Sequence, residues 1–268
     1  MQFNSLIFAV FLFIVFLFYW SLPNKPLGIR NAFLLIASYI FYGWWDWHFL
    51  GLILLNSTVD YVLGMSLHQT QSNRRRKILL GISLTTNLGI LGFFKYYDFF
   101  INSAMEFLQT IGLQANFHTL AIILPVGISF YTFQTLSYTI DIYRRKITPT
   151  HNVIAYFAFV SFFPQLVAGP IERASHLLPQ FLQRKVFDLE QAKDGLRQIL
   201  WGLFKKTVIA DNLAPYVDKI FSNYEAYSGP MLLLGTIYFA IQIYCDFSGY
   251  SDMAIGTARL FGFDLKRN

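Results

Sequence analysis

Five windows of this chain carry no charged side chain: Met1–Leu22, Ile78–Phe94, Thr119–Ile140, Asn152–Ile171 and Ala226–Cys245. A helix needs roughly 20 mostly apolar residues to cross the hydrocarbon of a bilayer, with about 17 as the short limit. A soluble domain of ordinary size seldom holds even one such window. Charged residues make up 13% of the chain and hydrophobic ones 55%, against about 25% charged in typical soluble domains. The expected class is therefore an all-α, polytopic integral membrane protein. It forms a single membrane domain over residues 1–268, with about seven spans, a re-entrant segment and amphipathic helices.

The formal charge of +6 does not point to nucleic acid, because the cations sit in short clusters between apolar windows. That pattern suits cytoplasmic loops. The first span, Phe3–Leu22, is retained: no Lys or Arg precedes it, and Tyr19-Trp20-Ser21-Leu22-Pro23 offers no small-residue cleavage site. Span two covers about Asn31–Trp45, and Gly43–His48 reads as a tight turn in an aromatic belt of Trp44, Trp45 and Trp47. Span three, about Trp47–Leu67, places Asn56 and Asp60 on one helix face. An acid there faces the bundle interior by default. It is expected to pair with a polar neighbour or a helix end rather than line a functional cavity. Span four is about Ile78–Phe100, and span five about Thr119–Tyr143 with Pro125 inside it. Lys25 and Arg30, Arg74–Lys77 and Arg144–Lys146 then all fall on one side if the N-terminus lies outside.

The centre of the chain is the stretch Ser161–Leu182, where an apolar run meets Pro164 and Pro170, with Glu172 and Arg173 beside them. Proline removes a backbone donor and breaks a regular helix. In a membrane such a break is tolerated only inside protein or a water-filled cavity. The segment reads as a dip into the membrane with Glu172 and Arg173 at its mouth. An ordinary span with a proline-marked exit is the alternative, but it would carry Arg184, Lys185, Lys193, Arg197, Lys205 and Lys206 to the wrong side. Asp188–Asp211 has helical amphipathic spacing, suited to the interface or to packing on the bundle. Asp246-Phe247-Ser248-Gly249-Tyr250-Ser251-Asp252, between apolar flanks, suggests an opened, hydrated point or a polar loop between short helices.

Soluble-enzyme motifs are missing, and no spacing ties Ser and His into a triad. His48, His68, His118 and His151 sit at predicted interfaces. His176 is the only histidine to consider for chemistry, and an interfacial role is preferred even there. One cysteine, Cys245, excludes an internal disulfide, and no Cys/His cluster suggests a metal.

Four segments carry a resemblance. They are Leu124–Gln134 with Ser137–Arg144; Phe162–Ile171 with Leu177–Phe181; Trp201–Asp211; and Gln242–Phe263, which reads Q-I-Y-C-D-F-S-G-Y-S-D-M-A-I-G-T-A-R-L-F-G-F. In order and content the chain resembles the membrane-bound O-acyltransferase superfamily. It is most like the bacterial branch of alginate, peptidoglycan and exopolysaccharide O-acetyltransferases and the teichoic-acid D-alanylation protein. The resemblance implies a thin-floored helical core with a tunnel. An acyl group would pass from a cytoplasmic donor, acetyl-CoA or another acyl carrier, to a polysaccharide hydroxyl at the other face. It further implies the bacterial inner membrane as location, no bound cofactor, and acyl-carrier or periplasmic acetyltransferase partners. A histidine serves the family as general base, because a hydroxyl is a poor nucleophile until its proton is taken.

By motif match, Pro164, Gln165, Gly169, Pro170, Glu172 and Arg173 fall on the tunnel wall or donor-side mouth, and Asp246, Ser248, Tyr250 and Asp252 on the polar core. The family's W-H-I-S-L type segment, which carries the base, is absent, and none of the five histidines matches its position. The expectation is an N-terminal portion that does not transfer acyl groups alone. The competing classes are a transporter or flippase, whose broken helices and buried acids look alike, and a non-catalytic interaction module. No internal symmetry supports transport.

Overall fold

The structure, a computed structural model, describes residues 1–23, 25–112, 123–166 and 169–266. Among them every regular element is helical. Helix α1 is Leu6–Ser21, capped by the Ser5 hydroxyl accepting from the Phe8 amide. Helix α2, Leu27–Asp46, turns at Trp47–Phe49 into α3, Leu50–Gln69. The Asp46 carboxylate caps that turn by accepting from the His48 amide at 2.9 Å. The expected turn is thus present, a few residues later than predicted.

Helix α4 runs unbroken over Asn73–Thr110. Arg74–Lys77 lies in its first turns and not in a loop. The stretch between the expected spans four and five, residues 101–118, is helical to Thr110, and its residues 113–118 lie outside the described residues. Helix α5, Ile128–Tyr143, starts after Pro125, where Gly127 takes a left-handed φ of 74°. Proline is therefore not inside this helix, as its missing donor and ring clash would predict. Residues 119–122 of the expected span lie outside the described residues.

The central stretch is a pair of short helices, α6 at Val153–Val160 and α7 at Phe163–Leu166. Eight residues of helix span about 12 Å, and the pair together falls well short of the ~30 Å hydrocarbon core. Tyr156, Phe159, Val160, Phe162 and Phe163 are wholly buried. The break is surrounded by protein, as backbone in a membrane requires. Helix α8, Ala174–Phe181, follows and packs on α6. The Phe181 and Phe263 rings meet at 4.5 Å, joining α8 to the end of the chain.

Helix α9, Leu189–Leu203, is N-capped by the Asp188 carboxylate and runs through a π-helical segment, Phe204–Ala210, into α10, Asp211–Phe221. Helix α11, Gly229–Leu260, then crosses the molecule without interruption. This corrects the reading of Asp246–Asp252 as an opened point or a loop. These residues sit in regular helix, where Ser248 and Asp252 meet Lys205, Asp252 also meets Gln198, and Asp246 pairs with Lys206. The amphipathic Asp188–Asp211 stretch packs on the bundle through α11.

Two arginines expected in loops turn inward. Arg76 donates to the carbonyls of Leu67, Ile142 (3.2 Å) and Tyr143 (2.7 Å). It thereby joins the ends of α3 and α5, where helical carbonyls lack partners. Arg30 does the same for α1, donating to Leu22 O at 2.9 Å and to Lys185 O at 3.1 Å. Asp60 is fully buried and accepts from Ser83, Asn87 (2.8 Å) and Thr139 (3.0 Å). That matches the expected structural pairing. It joins α3, α4 and α5 through polar contacts that lipid cannot replace.

Three helical stretches are long and apolar enough to cross a membrane: Gly28–Gln69, Asn73–Thr110 and Gly229–Leu260. Leu6–Ser21 and Val153–Leu166 are shorter apolar helices. The chain is an integral membrane protein of the all-helical class. Length and hydropathy mark three stretches, where the sequence pattern suggests about seven spans.

Candidate functional site

The ten residues singled out by sequence fall into two places. The first is the turn from α7 into α8. Pro164 and Gln165 are buried in α7. Gly169 returns against it so closely that a Cβ there would lie 2.4 Å from the Gln165 Cα. Only glycine fits this contact. Pro170 is buried beside it. Glu172 and Arg173 then part: Arg173 is exposed, while Glu172 is buried. Glu172 is enclosed by protein. Its carboxylate meets His176 Nδ1 at 2.8 Å and accepts from the Lys266 amide. One helical turn on, Gln180 donates to Asp264 O and accepts from the Asp264 amide, both at 2.8 Å. Glu172, His176 and Gln180 thus pin residues 264–266 along α8. His176 is a bracing residue with a carboxylate partner.

The second place is the face of α11 against α9. Lys205, nearly buried, bonds both Ser248 Oγ and Asp252 Oδ2. Gln198 Nε2 donates to the other oxygen of Asp252 at 3.0 Å. The next residue, Lys206, pairs with Asp211 at 2.7 Å and Asp246 at 2.6 Å, and its Nζ lies 5.4 Å from the centre of the Tyr250 ring. Arg259 pairs with Asp194 farther along. The four predicted core residues, Asp246, Ser248, Tyr250 and Asp252, are therefore brought together by two adjacent lysines. π-helical turns are frequent at functional sites, and here one carries both cations. The sequence reading gave Lys205 and Lys206 only to a cytoplasmic charge cluster. The signal that would have found them is their place inside the matching segment Trp201–Asp211.

Two cavities adjoin this face. A groove of about 890 Å³ is lined by Gln198, Trp201, Lys205, Tyr244, Ser248 and Asp252 among others. A second cavity of about 570 Å³ reaches Tyr250 from the side of Phe3, Phe41, Tyr42, Trp44 and Trp45. No cluster of three or more His, Cys, Asp or Glu able to hold a metal occurs among the described residues.

Helices that cross a bilayer, a broken pair buried among them, and paired charges held along an apolar helix define an integral membrane protein with a polar site in its core. The sequence model of MBOAT, the membrane-bound O-acyltransferase family, matches residues 87–268. The chain belongs to that family. It is 39% identical over 272 residues to a "probable alginate O-acetylase" of Azotobacter vinelandii, covering 100% of this chain and 53% of the relative. A protein of the same description from Pseudomonas aeruginosa is 40% identical over 271 residues, 100% of this chain and 51% of the relative. A peptidoglycan O-acetyltransferase of Helicobacter pylori is 34% identical over 296 residues, 99% of this chain and 55% of the relative. The chain spans about half the length of these curated relatives.

Proposed function

We propose that this chain serves in O-acylation of a cell-envelope or extracellular polysaccharide, with acetyl as the group moved. The observation that carries the reading is whole-chain similarity to relatives described as alginate and peptidoglycan O-acetylating proteins. The acyl donor, acetyl-CoA or another acyl carrier, enters from the cytoplasm. The acceptor hydroxyl lies on the opposite face of the bacterial inner membrane, where the N-terminus also lies. Acyl-carrier or periplasmic acetyltransferase proteins are the expected partners.

Within that scheme the α7–α8 turn is a wall element near the donor side, and the Lys205–Asp252 and Lys206–Asp246 pairs hold the polar core in register. A hydroxyl needs a base of near-neutral pKa to attack a thioester. His176 is turned onto Glu172, and we assign the base to the part of the relatives that this chain does not span. Excluding water from the donor is the further task of the buried helices.

The test is an ester assay in membranes, with acetyl donor and polysaccharide acceptor. The chain is compared with the same chain joined to the remaining segment of the Pseudomonas aeruginosa relative. The expected result is no transfer by the 268-residue chain and clear transfer by the joined protein. Transfer by the chain alone that is lost on His176→Gln would overturn the assignment of the base. A well-folded joined protein inactive on every polysaccharide tried would sink the function.

A further inference from the structure

We infer that a cavity between the end of α3, the start of α4 and the end of α5 holds the phosphate headgroup of an anionic phospholipid. The cavity measures about 260 Å³ and is lined by His68, Thr70, Arg76, Arg145 and Thr148 among others. No carboxylate is among its lining residues.

Two arginines make it a place for an anion. Arg76 is only 5% exposed, and its guanidinium donates to three carbonyls. Carbonyls satisfy its N–H groups but leave its charge uncompensated, and a buried charge is costly without an opposite one. Residues 61–97 and 142–171 contain no Asp or Glu. Asp60 and Asp141, the acids just before these stretches, are buried and do not line the cavity.

Arg145 follows the last turn of α5 with a φ of 58°, alone among the described non-glycine residues in the left-handed region. Its amide donates to Ile142 O at 3.0 Å and the Lys146 amide to Asp141 O at 2.9 Å. Glycine is the usual residue at this point of such a helix end, because it makes the turn without steric cost. An arginine strains the turn and sets a cation at the cavity. That side chain is exposed and has no ion pair among the described residues. Guanidinium groups meet phosphate oxygens through two parallel hydrogen bonds. Helix α4 starts at Asn73 with no side-chain cap, between the lining residues Gln71 and Arg76, and adds the positive end of its dipole.

Position selects a lipid over a soluble anion. The membrane-length stretches Gly28–Gln69 and Asn73–Thr110 meet here, joined by residues 70–72. The cavity therefore opens at one surface of the bilayer, at headgroup level, where basic pockets between membrane helices hold anionic headgroups. Val62 and Ile78, farther into the same helices, are exposed and offer an apolar path for acyl chains. The volume lies below the roughly 300–1,000 Å³ that encloses a drug-sized ligand, so it suits a phosphate-sized group and not a nucleotide. The site is independent of which group the protein acylates.

The experiment is native mass spectrometry of the delipidated chain in neutral detergent, titrated with dioctanoyl phosphatidylglycerol, dioctanoyl phosphatidylcholine or inorganic phosphate. The expected result is one phosphatidylglycerol held per chain, with affinity about tenfold lower in Arg145→Gly, the worth of one hydrogen bond between charged groups. Glycine suits the turn, so this loss should come without a fall in the lipid-free unfolding midpoint. Thr148→Glu, at an exposed lining position, sets a like charge beside the phosphate and should weaken binding as much. Arg184→Ala, exposed and outside the cavity, removes the same charge as Arg145→Gly and should bind as the unaltered chain does. Equal affinity in all variants would overturn the inference. So would an equal loss in Arg184→Ala, because general charge and not this cavity would then hold the lipid. Phosphatidylcholine or inorganic phosphate matching phosphatidylglycerol in affinity would overturn the anionic lipid as occupant.

Discussion

Gly195 and Gly256 face each other across the α9–α11 contact, and each occupies the space a Cβ would need on the other. A Cβ on Gly195 would lie 2.7 Å from the Gly256 carbonyl oxygen, and one on Gly256 would lie 2.5 Å from the Gly195 oxygen. Two helical turns away the arrangement repeats, with Gly202 and Gly249 at 2.6 and 2.8 Å. The partners run in opposite chain order, so the two helices are antiparallel and in backbone contact at both points. Small residues permit such approach in membrane helices, where dispersion replaces the hydrophobic drive. This contact brings Lys205 within reach of Ser248 and Asp252.

Gly256→Ala is therefore expected to destabilise the protein by about 1–3 kcal/mol, the usual cost of overpacking, although alanine is the better helix former by up to about 1 kcal/mol. The atom it would strike is backbone and cannot swing aside. Gly89→Ala in α4 has open space around it and should be neutral or mildly stabilising. Thermal unfolding in detergent, read by size-exclusion fluorescence, compares the two. Equal midpoints would mean that the helices are not in backbone contact.

Lys205→Met should lower stability by on the order of 3 kcal/mol, because it leaves Asp252 without its cation in a mostly buried place. Adding Asp252→Leu removes the stranded charge and should recover a large part of the loss. A double-mutant cycle on unfolding midpoints measures the coupling. Additive losses would show that the pair is not a unit.

These two contacts also mark the limit of what the chain reveals when read locally. Asp246–Asp252 carries Gly, two Ser and two Asp, all weak helix formers, and read alone it breaks. It stays helical because its partners come from elsewhere: Ser248 and Asp252 meet Lys205 43 and 47 positions away. No window of neighbouring residues contains that information. The paired sevens, Gly195 with Gly202 and Gly249 with Gly256, were visible but needed a partner helix to acquire meaning. Asp60 was legible for the opposite reason. The cost of an acid at membrane depth demands a polar partner, whichever residues provide it, and Ser83, Asn87 and Thr139 do. Glu172 and Arg173 were read together at a mouth because both follow the proline-broken dip. In the structure the backbone at Arg173 is extended, Glu172 is buried and Arg173 is exposed.

Arg76→Lys is expected to be nearly as damaging as Arg76→Ala. The guanidinium reaches carbonyls at the ends of two helices at once, and an ammonium on a flexible stem lacks that fork. Each orphaned buried carbonyl costs about 1–3 kcal/mol. Hydrogen exchange should speed up at the last turns of α3 and α5 in both variants. Full rescue by lysine would show that charge alone, and not geometry, holds the junction.

Lys185 gives a pH dependence with a definite sign. Burial beside Phe263, whose ring centre is 4.4 Å from Nζ, pushes the amine down from its usual 10.5 to about 8, with Asp264 offsetting part of the effect. Below pH 8 both the folded and the unfolded chain hold the proton, so this group contributes no slope. Between about 8 and 10.5 the unfolded chain binds more protons than the folded one, and stability rises with pH. Above 10.5 the slope vanishes again. The burial that lowers the value therefore weakens the fold at neutral pH, where the charge must be kept. Lys185→Met should raise the unfolding midpoint at pH 7 and flatten its rise between pH 8 and 10. Midpoints measured in detergent across that range, with Lys193→Met on the exposed face of α9 as control, decide it. A wild-type curve that is flat or falling over the window, with no difference from Lys185→Met, would show that the amine keeps its ordinary value.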